Sequence, residues 1–144
     1  MNFIWQILHN KSITIPALAW FIAQVIKVLR VMIKYRKFDH TRLFGSGGMP
    51  SSHSAFIVSL STVVGRNLGW DSMQFGMAVA ISLIVMYDAA GVRRAAGKQA
   101  EVLNKLLFSH DMHFDARLKE LLGHSPIEVL FGAALGIALG LWLG

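Results

Sequence analysis

The sequence predicts an all-α integral membrane protein with about four transmembrane helices and one amphipathic cytoplasmic helix. First, 54% of its 144 residues are hydrophobic, only 15% are charged, and the mean hydropathy is +0.51. A soluble domain usually carries about 25% charged residues. Second, the apolar residues form four runs, each long enough to cross a bilayer. Third, most basic residues lie between those runs. The length is that of one domain, residues 1–144.

The four apolar runs of 18 to 21 residues are the predicted transmembrane helices. At a rise of about 1.5 Å per residue, each crosses the hydrocarbon layer once. In that layer only a helix satisfies the backbone polar groups of a single segment. Proline stands at the start of two runs, where its missing N–H costs little. The predicted limits are about Ser12–Leu29, Ser51–Leu68, Ser72–Val92 and Ser125–Gly144.

Two further segments have an amphipathic pattern. The short stretch Met1–Lys11 contains Trp5 and His9 and is predicted to be interfacial. The long connection from Arg93 to Gly123 begins with apolar residues at helical spacing, which predicts a helix on the membrane surface. Those residues are Val102, Leu103, Leu106 and Leu107, and the pattern starts at Gln99.

Basic residues predict the topology. The connections between helices one and two and between three and four hold eleven of the fourteen Lys and Arg residues. The positive-inside rule therefore places both connections in the cytoplasm and both termini outside, in a multi-pass protein of the cell (inner or plasma) membrane. The net charge of +6 fits a membrane surface better than nucleic acid, because the charges flank apolar runs. The absence of cysteine excludes disulfides and thiol chemistry.

A first candidate site lies where glycines lead into the second helix. Ser51, Ser52 and His53 occupy its first turn. A helix N-terminus attracts anions such as phosphate, the hydroxyls add donors, and His53 could exchange a proton. The alternative is a serine-capped helix with an incidental histidine.

A second candidate site lies at the start of the fourth helix. His124 and Glu128 are four residues apart and share a helical face. Glu128 could hold one imidazole nitrogen and leave the other free to attack. The alternative is a helix cap with a glutamate favoured by the helix dipole. Beyond it, glycines recur every four residues and predict a close packing face, either within one chain or between the subunits of a homo-oligomer: Gly132, Gly136, Gly140 and Gly144.

A third set of polar residues surrounds the end of the third helix. Arg93 and Arg94 could bind phosphate, with Asp88 and Lys98 in support, since arginine pairs bidentately with phosphate; alternatively they form a plain basic anchor with Asp88 as counter-ion. In the first helix, Lys27 and Gln24 could face the bundle, or Lys27 could snorkel to the surface. The predicted topology places all three sets and Lys27 at one membrane face.

Two motifs resemble those of the type 2 phosphatidic acid phosphatase superfamily, which includes the vanadium-dependent haloperoxidases. Pro50-Ser51-Ser52-His53 resembles its Pro-Ser-Gly-His motif, and His124-Ser125-Pro126-Ile127-Glu128 resembles its His-x-x-x-Asp element. The chain is most similar to a divergent bacterial and plant branch, described as acid phosphatase/vanadium-dependent haloperoxidase-related. That similarity runs from Ala23 to Gly136, through three specific blocks: Gly47–His53, Asp88–Arg94 and Gly123–Val129.

The resemblance implies a membrane-embedded phosphatase-like domain that hydrolyses a lipid phosphate or diphosphate monoester through a phosphohistidine. It implies His124 as nucleophile, Glu128 as the acid that orients it, and His53 as general acid. It also implies no metal or cofactor, with vanadate or phosphate able to occupy the site, and a membrane lipid phosphate as partner. The phosphate ligands would be Ser51, Ser52, Lys27 and Arg93 or Arg94, supported by Asp88, Lys98 and Gln24.

The chain also departs from the superfamily pattern. An arginine usually stands six residues before the second histidine, where this chain has Leu118, and the Lys-x6-Arg-Pro motif is replaced by Lys27 with Lys34 and Tyr35. The superfamily bundle usually has six helices. An alternative hypothesis is therefore a non-catalytic protein that binds or transports phosphate or a lipid phosphate. Haloperoxidase activity is not expected, because those enzymes are soluble and larger. A third hypothesis is a metal site at His110, Met112, His113 and Asp115.

Overall fold

The computed structural model describes residues 2–36, 48–109, 118, 120 and 122–144. In this part of the chain all regular structure is helical, which confirms the predicted all-α fold. The six helices, numbered in chain order, are α1 Phe3–His9, α2 Lys11–Tyr35, α3 Ser52–Leu68, α4 Met73–Ala90, α5 Val92–Ser109 and α6 Pro126–Leu143.

Three helical stretches of the described chain are long and apolar enough to cross a membrane. They are Lys11–Ile33, Met73–Leu107, in which α4 runs on into α5, and Pro126–Leu143. The membrane bundle is therefore confirmed. The sequence predicted four crossings. The second of those predicted helices corresponds to α3, which has 17 residues and packs against α2, α4 and α6.

Two helix limits differ from the prediction by more than two residues. Helix α2 was expected to stop at Leu29 but continues to Tyr35, because arginine, lysine and methionine are good helix formers and no glycine or proline interrupts the next residues. Arg30 is therefore part of α2 and not of the connection. Helix α5 was expected from about residue 99 but starts at Val92, one residue after Gly91 ends α4.

Helix α3 is the centre of the bundle and packs against α2, α4 and α6. Its partner α6 runs parallel to it, and the glycines of α6 bring the two backbones into contact. A Cβ atom on Gly132 would strike the carbonyl of Ser51, and one on Gly136 would lie 2.6 Å from the carbonyl oxygen of Ala55. The glycine face predicted from the sequence is thus used within the chain, against α3.

The interior of α3 is unusually polar for a membrane bundle. Ser61 and Ser82 share a hydrogen bond of 2.6 Å between α3 and α4, and Ser82 also donates to the carbonyl of Ile57 at 3.2 Å. Serine hydroxyls that bond to helix carbonyls avoid the cost of an unsatisfied polar group in a dry interior. The apolar core beside them is made of small residues and one leucine: Ala19, Ala23, Ala55 and Leu139.

Contacts at the helix ends fix which residues share an end of the bundle. Lys11 Nζ donates to the Gly144 carbonyl at 3.2 Å, so α2 begins where α6 finishes. Lys27 Nζ donates to Ser52 Oγ at 3.2 Å, so the second half of α2 lies beside the start of α3. The starts of α3 and α6 therefore lie together at the end opposite Lys11 and Gly144.

The glycine contact leads to a stability prediction. Gly136→Ala should lower the free energy of unfolding by about 1–3 kcal/mol, because the new Cβ would meet backbone atoms of α3 that cannot rotate away. The measurement is thermal unfolding of the purified protein in detergent. Gly76→Ala is the matched control, since Gly76 is exposed on α4 with no atom within 4 Å of the added Cβ, and should be neutral or slightly stabilising. Equal effects at the two positions would refute the close α3–α6 contact.

Candidate active site

The start of α3 is built by its serines. Ser51 is the N-cap, and its buried hydroxyl accepts hydrogen bonds from the Ser54 N–H at 3.3 Å and the Ser54 hydroxyl at 3.0 Å. The hydroxyl of Ser52, the next residue, accepts a hydrogen bond from the Lys27 ammonium. Of the two serines predicted to bind phosphate, one is thus occupied as a helix cap and the other is linked to a cation.

The start of α6 is a capping box in which Glu128 has two contacts. One carboxylate oxygen, Oε2, accepts from the Ser125 N–H at 2.9 Å and lies 3.4 Å from His124 Nδ1. In return, the Ser125 hydroxyl accepts from the Glu128 N–H. The helix-cap interpretation of Glu128 is therefore confirmed, and the carboxylate also lies beside the imidazole.

The two histidines stand side by side at this end of the bundle. The ring centroids of His53 and His124 are 6.2 Å apart, with an angle of 62° between the planes. Backbone hydrogen bonds hold them there: the Ser51 N–H donates to the Glu128 carbonyl, and the His124 N–H to the Ala89 carbonyl, both at 2.9 Å. His124 is 3% exposed, and His53 is partly buried.

Arg93 connects His53 to an acid. Its Nε donates to Asp88 Oδ2 at 2.6 Å, and its Nη1 lies 3.3 Å from His53 Nε2. Because guanidinium has only donors, His53 Nε2 must accept, which places the proton of the neutral ring on Nδ1. No described residue accepts a hydrogen bond from that Nδ1. Each histidine is therefore associated with a carboxylate. His124 lies directly beside Glu128, and His53 contacts Arg93, which is bonded to Asp88.

Lys27 supplies a second cation from α2. Its side chain is 4% exposed, although it lies within a membrane-spanning helix, so it faces the bundle and does not snorkel. Its charge acts on both histidines and on Glu128. Gln24, one turn earlier on the same helix, is also buried. A buried lysine in a membrane helix is costly and usually marks a functional site.

Two predicted cations are not brought into the cluster. Arg94 and Lys98 are exposed on α5 and make no side-chain hydrogen bond to another described residue. The Arg94 backbone does pack close by, because Gly123 lies against it with a φ of 81°, a conformation that glycine adopts without strain. Arg93, not Arg94, is therefore the arginine that reaches the histidines.

The proposed metal ligands His110, Met112, His113 and Asp115 lie outside the described residues. Among the residues that the structure does describe, no group of three or more histidine and acidic side chains could hold a metal ion.

Asn104 was missed by the sequence analysis. This buried residue of α5 receives a hydrogen bond from the Leu118 N–H at 2.9 Å and donates to the Leu118 carbonyl at 2.8 Å and to Glu120 Oε1 at 2.8 Å. It therefore ties α5 to the segment that leads into His124. The apolar stripe of the predicted amphipathic helix gave no signal for it, because at about 100° per residue Asn104 lies on a different side of the helix from Val102 and Leu106.

The environment of His124 favours its neutral form. Burial lowers the pKa of His124 below its ordinary value of 6.5, and the positive charge of Lys27 lowers it further, whereas the Glu128 carboxylate opposes both effects. At neutral pH the ring is therefore uncharged. Neither ring nitrogen of His124 has a hydrogen-bond partner among the described residues, but Nδ1 lies 3.4 Å from Glu128 Oε2. A proton on Nδ1 would face that carboxylate and leave the lone pair on Nε2.

Fold and site together define an all-helical membrane protein with two histidines, two cations and two carboxylates at one end of its bundle. The family model described as the divergent PAP2 family matches residues 8–139. The chain is also 42% identical over 152 residues to the uncharacterized membrane protein YuiD of Bacillus subtilis (strain 168), an alignment that covers 96% of each protein. This chain belongs to the divergent PAP2 family, as the sequence motifs predicted. No solved structure matches it.

The pKa of His124 can be measured directly by NMR titration of the histidine-labelled protein. We expect a midpoint below 6.5, and a still lower one in Glu128→Gln, which removes the charge that favours the protonated ring. With such a pKa, the folded state binds this proton more weakly than the unfolded chain does. The free energy of unfolding should therefore be highest at pH values above 6.5 and should decline as the pH falls below 6.5. A midpoint above 6.5 would contradict this environment.

Proposed function

We propose that this protein is a membrane phosphatase that hydrolyses a lipid phosphate or diphosphate monoester through a phosphohistidine intermediate. The observation that carries the proposal is the His124 ring, whose Nδ1 faces Glu128 and whose Nε2 is unpaired within the described chain, 6.2 Å from the His53 ring. A histidine beside a carboxylate that can orient it, next to a second titratable ring, is an arrangement suited to covalent phosphoryl transfer.

In the first step, His124 Nε2 attacks phosphorus and the bond from phosphorus to the lipid oxygen breaks. Protonated His53 gives its proton to that oxygen, so the lipid leaves as an alcohol, or as a lipid monophosphate when the substrate is a diphosphate. Glu128 stabilises the positive charge that develops on His124. In the second step, neutral His53 takes a proton from water, which attacks the phosphohistidine and releases inorganic phosphate. Both histidines then return to their starting states.

Charge stabilisation in these steps comes from residues already at the site. Lys27 and Arg93 are the cations that would face the phosphoryl oxygens, and the N-termini of α3 and α6 add partial positive charge. Such groups stabilise the transition state without a metal ion. Vanadate, which can adopt the five-coordinate geometry of phosphorus during phosphoryl transfer, is the expected inhibitor.

We also propose the location of this chemistry. Eleven of the fourteen basic residues lie at positions 30–42 or 93–119 of the chain, which supports a cytoplasmic position for the end of the bundle that holds the histidines, in the cell membrane. Both termini would then lie outside. A lipid phosphate in the cytoplasmic leaflet would present its headgroup at that level.

The first test is phosphate release from phosphatidic acid, phosphatidylglycerophosphate and isoprenyl phosphates and diphosphates by the purified protein. His124→Ala should reduce the rate by about 10³-fold or more, and His53→Asn by roughly 10²–10⁴-fold. The wild type incubated with radiolabelled substrate should retain acid-labile label that His124→Ala lacks.

His9→Ala is the matched control for this test. His9 is an exposed histidine of α1, in contact with Trp5, and its substitution should leave phosphate release unchanged. Failure of the wild type to release phosphate from every substrate, or equal release by His124→Ala, would refute the proposed activity.

A second candidate is a protein that binds or transports phosphate or a lipid phosphate without hydrolysis. Two observations favour it. Arg93 is hydrogen-bonded to Asp88, and Leu118 stands at the position of the superfamily arginine. Under this candidate, millimolar phosphate or vanadate should raise the melting temperature by a few degrees while no substrate is turned over. His124→Ala would keep that shift, and no oxyanion shift at all would refute both candidates.

A further inference from the structure

The segment that leads into His124 lies against one face of α5. On that face Gly97 and Asn104 are both buried, seven residues and about two helical turns apart. A Cβ atom on Gly97 would lie 2.5 Å from the carbonyl oxygen of Glu120 and 2.9 Å from that of Leu122. The glycine therefore lets the backbone of the segment pack directly on the helix.

Asn104 holds the start of this segment through its side-chain amide. The amide oxygen accepts from the Leu118 N–H at 2.9 Å, and the amide nitrogen donates to the Leu118 carbonyl and to Glu120 Oε1, both at 2.8 Å. Because one side chain pairs with both backbone groups of Leu118, it fixes the position and the orientation of that residue. Removal of the amide would leave partly buried backbone groups without this partner.

The other end of the segment is fixed where α4 meets α5. Gly123 packs against the Arg94 backbone, and the His124 N–H donates to the Ala89 carbonyl at 2.9 Å. The segment thus runs back along α5, from Asn104 in the second half of the helix to Arg94 near its start. Asn104 and Ala89 hold it at opposite ends.

The same helix also reaches the other histidine. Arg93, in the first turn of α5, bonds to Asp88 and lies 3.3 Å from His53 Nε2. Among the helices that the structure describes, α5 packs only against α4. The contacts of α5 with the segment before His124 are therefore the described link between the second half of α5 and the histidine site.

We propose that Asn104 is a positioning residue, which holds His124 in place beside His53 by fixing the segment that precedes it. The hydrogen bonds of Asn104 go to Leu118 and Glu120, so it acts through the segment and not on the ring itself. Its effect on catalysis rests on the proposed function, whereas the placement of the ring can be measured without turnover. A nucleophile displaced by about 1 Å can lose about 10²-fold in rate.

The first test follows the histidine rings by NMR in the full chain, labelled at histidine and purified in detergent. Asn104→Ala should shift or broaden the ring resonances of His124. It should leave those of His9 unchanged, because His9 lies in α1, at the opposite end of the bundle. Gln99→Ala is the matched control, since Gln99 is an exposed amide on the same helix, and should change neither ring. Unchanged His124 resonances in Asn104→Ala, or changes of equal size at His9, would overturn the proposal.

A second set of variants distinguishes hydrogen bonding from space filling and remains available if Asn104→Ala does not fold. Asn104→Asp keeps the acceptor for the Leu118 N–H but places a carboxylate against Glu120, so it should perturb the His124 resonances. Adding Glu120→Gln removes that repulsion and supplies a donor, and should return the resonances most of the way to wild type. A double variant as perturbed as Asn104→Asp alone would show that these bonds do not position the ring.

The kinetics of phosphate release provide the readout that depends on the proposed function. In Asn104→Ala we expect kcat for phosphatidic acid to fall about tenfold while KM stays within about twofold, because Lys27 and Arg93 are unchanged. A raised KM with unchanged kcat would contradict the positioning role. If the wild type releases no phosphate, the phosphatase proposal fails alone, and the ring resonances decide whether Asn104 positions His124.

Discussion

Direct backbone contact between α6 and α3 is the constraint on which the rest of the structure depends. Gly132 and Gly136 leave no side chain between the helices, so their register is set by backbone atoms. The Ser51 N–H then reaches the Glu128 carbonyl. His53 follows Ser51 by two residues, and His124 precedes Glu128 by four. The two rings meet because the helices that carry them cannot slide or separate.

The same contact explains why α3 can be so polar. A helix enclosed by three others does not meet lipid on most of its surface, so its serines can face neighbouring helices. Ser61 and Ser82 join α3 to α4, and Ser52 joins it to Lys27 on α2. Small side chains allow close approach and hydroxyls satisfy one another, two features that membrane interfaces use together. The catalytic proposal therefore combines His53 on this central helix with His124 in the segment before α6, which a backbone hydrogen bond joins to Ala89 on α4.

The sequence predicted the helix cores and the convergence of the histidines, because hydropathy and helix caps are local properties. It did not predict the end of α2 or the start of α5, since no strong stop signal marks either one. The choice between Arg93 and Arg94 depends on the rotation of α5, which turns about 100° per residue. The bonds of Asn104 join residues 14 to 16 positions apart in the chain. Periodicity carries no information on such a pairing.

The paired carboxylates and cations have a consequence for proton balance. Lys27 and Arg93 carry two positive charges, and Asp88 and Glu128 carry two negative ones, so this set is electrically neutral when both rings are uncharged. His124 and Lys27 are buried, whereas the Arg93–Asp88 pair is open to solvent, so a phosphate dianion in the proposed site would lose solvation only on its inner side. Proton uptake by the imidazoles would offset its charge there. The proposed binding would thereby depend on the acidity of the surrounding solution.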